Sequence, residues 1–173
     1  MNRKFVLSSP SYPRAWLRTV LPFDSDKLRI WKNEHRHFFF YQDLISPEDQ
    51  ERWFEGYLAR EHDYMFMVIT QGQDIGCMGF RLLGDTCDIY NVISGLPQMR
   101  GSGFMRQGFH IMCSYALSHY RTRISAKVIH GNPAIGWYSR NGYRKVAEYK
   151  DYLEMEIDQA AYWPCLVMER SDS

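Results

Sequence analysis

The sequence predicts an α/β (α+β) fold on a mixed sheet. Three observations carry that expectation: two capped amphipathic segments near the N-terminus, three consecutive apolar runs of strand length after them, and a long helical periodicity followed by further strand and helix signals. A chain of 173 residues suits one domain over 1–173, since at that size roughly 70% of the unfolded surface can be buried around one core. Internal repeats, low-complexity tracts and linker-like shifts in composition are absent.

Taken in order, residues 24–36 (DSDKLRIWKNEHR) set an aspartate cap before Leu28, Ile30 and Trp31 among charges. Residues 46–61 open with Ser46, Pro47 and Asp49, a capping box with proline at the first helical position. Both read as amphipathic helices. The runs 64–70 (YMFMVIT) and 75–83 (IGCMGFRLL), parted by the turn QGQD, and then 87–94 (CDIYNVIS) read as a three-strand meander. From Gly103 to Tyr120 the spacing becomes helical, with Phe104, Ile111, Met112 and Tyr115 on one face. RISAKVI reads as a strand, PAIGWYSRN as a short helix stopped by Gly142, VAEYKDYLEMEI as one strand and CLVMER as a last short strand.

Composition removes several function classes. Acidic and basic side chains nearly cancel, with a formal net charge of +1, so no field gathers nucleic acid or an anionic membrane, and neither is an expected partner. Cys77, Cys87, Cys113 and Cys165 lie far apart, with no C-x-x-C pair and no histidine pair at zinc spacing. That pattern predicts free thiols in a reducing cytoplasm and no metal site. The N-terminal apolar run is too short for a signal peptide, and no stretch nears the roughly 18 apolar residues of a membrane span. The expected location is cytoplasmic; homodimer formation is left open.

The stretch 98–109 (QMRGSGFMRQGF) lies where the third meander strand hands over to the long helix. A strand-to-helix turn with little side-chain bulk lets backbone N–H groups approach a ligand, and the helix N-terminus adds about half a positive charge. Phosphate is the natural occupant, the alternative being a turn that only reverses the chain. The dinucleotide pattern G-x-G-x-x-G fails at Arg106, and the Walker pattern fails because Gly108 is followed by Phe109 and His110.

Pro97, Arg100, Gly101 and Gly103 form a P-x-x-R-G-x-G run, followed by a helix, a strand and Y-S-R-N-G-Y over 138–143. This resembles the coenzyme A site of the GNAT superfamily of acyl-CoA N-acyltransferases. The upstream IWKNEHRHFFFYQDLISPEDQERWFE is similar to the opening of a branch that includes amino-sugar and ribosomal-protein N-acetyltransferases. The resemblance spans roughly residues 18–170. It implies a GNAT-like, mostly antiparallel central sheet of about six to seven strands with helices on both faces. It also implies that Arg100, Gly101, Ser102, Gly103, Phe104 and Met105 hold the pyrophosphate of acetyl-CoA, with the pantetheine arm between two splayed strands. Two positions depart from the family pattern. Met105 stands where glycine or alanine is usual, which threatens to crowd the phosphate, and Asn132 is one residue closer to Tyr138 than the usual spacing.

The implied chemistry is direct attack of a neutral amine on a thioester. It needs loss of an ammonium proton, stabilisation of an oxyanion and protonation of a thiolate. A backbone N–H near Val92 or Ile93 suits the oxyanion. Tyr138 resembles the family's general acid, although donation from pKa about 10 to a thiolate of about 8.5 is uphill by about 2 kcal/mol unless a neighbour such as Arg140 depresses it. For the base, Asp88 stands about where several family members place a carboxylate, on the face that alternation gives to Tyr90 and Val92, while His130 has a suitable intrinsic pKa. Phe38, Phe39, Phe40 and Tyr41 between the opening helices, with Tyr90, form the expected acceptor wall, the alternative being core packing. The leading expectation is acetyl transfer to a small-molecule amine, most of all a nucleotide-linked amino sugar. A protein N-terminal amine as acceptor and a non-catalytic acyl-CoA-binding domain are the competing readings.

Overall fold

In a computed structural model, residues 4–120 and 122–171 are described. In chain order they form β1 (Phe5–Ser8), β2 (Trp16–Thr19), α1 (Ser25–Glu34), α2 (Pro47–Ala59), β3 (Asp63–Thr70), β4 (Gln73–Leu83), β5 (Thr86–Ser94), α3 (Phe104–Tyr120), β6 (Arg123–Ile129), α4 (Ala134–Arg140), β7 (Tyr143–Glu148), β8 (Tyr152–Ile157) and β9 (Met168–Ser171). The strands make one sheet in the order β7-β8-β6-β5-β4-β3-β2-β1-β9. Every neighbouring pair is antiparallel except β5 and β6, joined through the crossover helix α3. The expected mixed, mostly antiparallel sheet is therefore present, with nine strands among the described residues where about six to seven were expected.

The sheet has a core on each face. On one side α3 and α4 bring Phe109, Ile111, Met112 and Tyr138 against Phe5, Leu17, Phe66, Val68, Phe80 and Ile89. On the other, α1 and α2 bring Leu28, Trp31, Phe54 and Tyr57 against Met65, Met67, Cys77 and Ile93. Strand β3 supplies both through its alternation, Phe66 and Val68 to one face and Met65, Met67 and Ile69 to the other. With both faces covered, the strand reads as an unbroken apolar run.

The parallel pairing of β5 and β6 runs only from Thr86↔Arg123 to Ile89↔Ala126. β5 continues to Ser94 and β6 to Ile129 without further pairing, so the strands part and leave a V in the middle of the sheet. Backbone polar groups on the open edge of β5 past Ile89 have no ladder partner there.

Helix α2 begins as its capping signal predicts, Ser46 Oγ accepting from the Asp49 amide at 3.1 Å. Other expectations need correction. Asp24 does not cap α1: it is buried, bonded twice to Arg18 at 2.7 and 3.1 Å, and accepts from the Leu21 amide at 2.7 Å. The segment 146–157 is not one strand but the ends of the β7–β8 hairpin, whose turn is closed by the Tyr149 amide donating to Tyr152 O at 2.9 Å and by stacking of the two rings. The last strand expected over CLVMER is present as Met168–Ser171 at the sheet edge, whereas the short strands β1 and β2, with β1 as its partner, and exposure of Ile30 were unforeseen.

Candidate active site

A cleft of about 1560 Å³ opens where β5 and β6 part. Its wall on β5 is kinked. Between the Gly79↔Tyr90 and Cys77↔Ile93 pairs, β4 advances two residues and β5 three, so Asn91 and Val92 together oppose Met78. Asn91 takes φ 50°, a conformation that costs asparagine less than most residues. The bulge changes which face each later side chain joins. Asp88 and Tyr90 share a face as expected, but Val92 packs on the α3 side and Ile93 on the α1 side. The expected alternation of Asp88, Tyr90 and Val92 thus breaks at the extra residue.

The loop ahead of α3 carries the second set of groups. Gly101 (φ 78°) and Gly103 (φ 84°) adopt left-handed conformations that L side chains rarely take, and nothing lies within 4 Å of where a Cβ would stand on either. Arg100 and Ser102 donate their amides back to Pro97 O and Met99 O. The amides of Gly101, Gly103, Met105 and Arg106 have no acceptor among the described residues. These are the free donors of a helix start. Four open amides at a positive dipole end fit a diphosphate.

Met105 does not crowd this cradle. Its side chain turns down onto the backbone of Gly76, where an added Cβ would stand 2.6 Å from its sulfur. Further along the cleft, Ser94 Oγ is buried with no hydrogen-bond partner among the described residues, a polar atom suited to the amides of a pantetheine arm.

Tyr138 reaches the cleft from α4, held edge-on by Phe109, Trp137 and Tyr143. Burial raises its hydroxyl above the ordinary phenol range, and nearby Cys113 and Asp88 raise it further. Arg140 therefore does not supply the lowering considered from sequence, and the phenol is neutral at any working pH.

Asp88 is buried and binds Arg81 Nε at 2.9 Å. Desolvation raises its pKa, opposed by Arg81. It sits in the closed part of the V, opposite Ser125. The Tyr90 hydroxyl donates to Asp63 Oδ1, and Asp63 is in turn paired with Arg60 at 2.7 Å. Arg81 lies 5.0 Å over the Tyr90 ring.

The aromatic segment between α1 and α2 crosses the mouth of the V. Asn132 Nδ2 donates to Phe38 O at 3.2 Å, and Phe40 meets Tyr152 of β8 edge-on at 5.4 Å. Phe38, Phe39, Phe40 and Tyr41 all line the cleft.

Thus Asp88, Tyr90, Val92, Ile93, Arg100, Gly101, Gly103, Met105, Asn132 and Tyr138 converge on one cavity with the aromatic segment. Three expected residues do not line it. His130 is exposed and its Nε2 lies 2.7 Å from Tyr149 O, which ties it to the β7–β8 turn rather than to the cleft. Ser102 is exposed, its hydroxyl accepting from the Phe104 amide at 3.4 Å, and the Phe104 ring faces Arg14.

Sequence reasoning missed Lys32, Asn91 and Ser94. Lys32 Nζ donates to Asn91 Oδ1 at 2.5 Å and lies 3.2 Å from the centre of the Phe39 ring. The signal was available: Leu28, Trp31, Lys32 and His35 fall at i, i+3, i+4 and i+7, which puts the lysine on the buried stripe of α1. Asn91 and Ser94 carried no local signal, because the bulge is a property of the β4–β5 pairing.

Comparison with known proteins agrees with this geometry. The family model described as "Acetyltransferase (GNAT) domain" matches residues 14–144. No curated protein matches significantly. Among solved structures, a domain from Methanocaldococcus jannaschii superposes with a TM-score of 0.73 at 16% identity, covering 83% of this chain and 97% of that one. Spermidine N-acetyltransferase from Vibrio cholerae, solved with CoA and spermine, gives 0.72 at 19% identity, over 85% and 96% of the two chains. FdhC, described as a nucleotide-linked sugar GNAT, gives 0.71 at 14%, over 85% and 88%. With a matching domain model over most of its length and a cleft built at the parting of two parallel strands, the chain belongs to the GNAT family of acetyl-CoA-dependent N-acetyltransferases.

Proposed function

We propose that the protein transfers an acetyl group from acetyl-CoA to the primary amine of a small anionic molecule, a nucleotide-linked amino sugar being the best fit. One observation carries the choice of acceptor: the cleft presents no carboxylate without an arginine. The lining acids are Asp49 and Asp88, held by Arg52 and Arg81. Lys127 and Arg140, by contrast, line the cleft with no ion pair among the described residues. A polycation such as the spermine bound by the Vibrio cholerae neighbour would meet cations and no free anion. A nucleotide diphosphate would meet complementary charge, and its rings would meet the aromatic segment.

In this reading the open amides of Gly101, Gly103, Met105 and Arg106 and the α3 dipole hold the pyrophosphate. The thioester of acetyl-CoA supplies the activated acetyl carbon. The β5 amide at the bulge, by Val92, faces the developing oxyanion, while the Ile93 amide turns to Cys77 on β4. Tyr138 donates a hydrogen bond to the departing sulfur, and Asp88 holds Arg81 at the acceptor wall.

Thiol release with a nucleoside-diphosphate amino sugar, with spermine and with an N-terminal peptide amine tests this directly. The first is expected to show the highest kcat/KM. Preference for the peptide would favour a protein N-terminal acceptor, and acetyl-CoA binding without turnover would favour a non-catalytic domain.

A further inference from the structure

The acetyl-transfer reading leaves the acceptor's proton without a destination. Asp88 is engaged by Arg81, and Asp63 by Arg60 and Tyr90. His130 is outside the cleft. His35 lines it, but Nδ1 lies 2.9 Å from Trp31 O and so carries its proton there, while Nε2 stands 3.4 Å from Arg100.

We propose that Lys32 is the general base, taking the proton from the acceptor ammonium at the cleft wall formed by Asn91 and Phe39. The placement carries this, and the inference rests on the acetyl-transfer reading. Nζ stands between the β5 bulge, where the strands part, and the aromatic segment expected to hold the acceptor. Helix α1 is fixed in that position by Trp31, whose ring lies so close on Gly95 that a Cβ there would be 2.1 Å from it. Lys32 makes no ion pair among the described residues.

The surroundings keep Nζ available for a proton. Removal from water brings the lysine down to about 7, opposed only by Cys77 beside it, while Asn91 Oδ1 and the Phe39 face are its contacts in the cleft. The groups facing it supply no counter-charge. Cys77 on β4 has its thiol pushed up to about 12, and Tyr90 on β5 is held well above the phenol range. His35 on α1 is engaged as described.

The step balances. The acceptor N–H bond breaks, its electron pair stays on the acceptor nitrogen, and a new N–H bond forms at Nζ. The freed amine attacks the acetyl carbon, the C–S bond breaks, the second amine proton goes to the departing sulfur, and Lys32 returns its proton to water.

Two variants and one spectrum test this. In the wild-type protein kcat, which reports groups in the complex with both substrates, is expected to rise with pH through about 7. Lys32→Arg keeps a cation at Asn91 but cannot accept a proton. Together with Lys32→Met it is expected to lower kcat at pH 7 by about 100-fold or more and to remove the rise, while KM for acetyl-CoA changes less than about twofold. Titration of lysine 13Cε shifts, assigned by the loss of one signal in Lys32→Arg, is expected to place Lys32 near neutrality. An unchanged kcat profile in Lys32→Arg, or a Lys32 that titrates in the ordinary lysine range, overturns the proposal. If amino-sugar nucleotides are not acetylated but another amine is, the profile is read on that amine; the acceptor reading then fails while the base assignment is judged separately. No turnover on any amine removes both.

Discussion

Burial raises the Tyr138 hydroxyl, so Tyr138→Phe removes a hydrogen-bond donor and not an acid matched to neutral pH. The expected result is a drop in kcat of about 10- to 100-fold, the worth of one hydrogen bond to a charged group, with calorimetric affinity for acetyl-CoA unchanged. Lys32 makes a stability prediction of opposite flavour. Its folded pKa, about 7, lies below its unfolded value, so the unfolded chain binds more protons between about pH 7 and 10 and stability rises with pH across that window. Lys32→Met is therefore expected to raise Tm at pH 7, with the gain shrinking towards pH 10. At this scale the sequence showed what was covalently local. Arg100, the two glycines and Tyr138 announced themselves by spacing, whereas the engagement of Asp88 by Arg81 depends on which residues β4 and β5 set opposite each other.

Elements with punctuation were legible and those without it were not. Helix α2 was marked by Ser46, Pro47 and Asp49, and α4 by the Gly142 stop at φ 86°. The turn between β7 and β8 is Tyr149, Lys150 and Asp151, with neither glycine nor proline, so the hairpin read as one strand. β1 and β2 are four residues each, too short for alternation to speak. The same scale explains Met105. On β4, a Cβ at Gly76 would stand 2.4 Å from Ile93 O and 2.6 Å from the Met105 sulfur. Gly76→Ala is expected to destabilise by about 1–3 kcal/mol and to raise KM for acetyl-CoA by pushing Met105 towards the loop. Adding Met105→Ala is expected to recover the KM but only part of the Tm, since Ile93 O still collides.

For the molecule as a whole, the parting of β5 from β6 decides how the reaction is organised. β5 is paired to β4 from Thr86 to Ser94 on either side of the bulge, while its opposite edge is bare past Ile89. The open amides of Gly101, Gly103, Met105 and Arg106 and the aromatic crossing from Phe38 to Tyr41 both border that gap, with Arg100 and His35 meeting between them. One cavity bordered by both admits donor and acceptor side by side, so the acyl group need never rest on the polypeptide. Initial-rate lines measured at several fixed concentrations of one substrate should then intersect; parallel lines would mean that the first product leaves before the second reactant arrives.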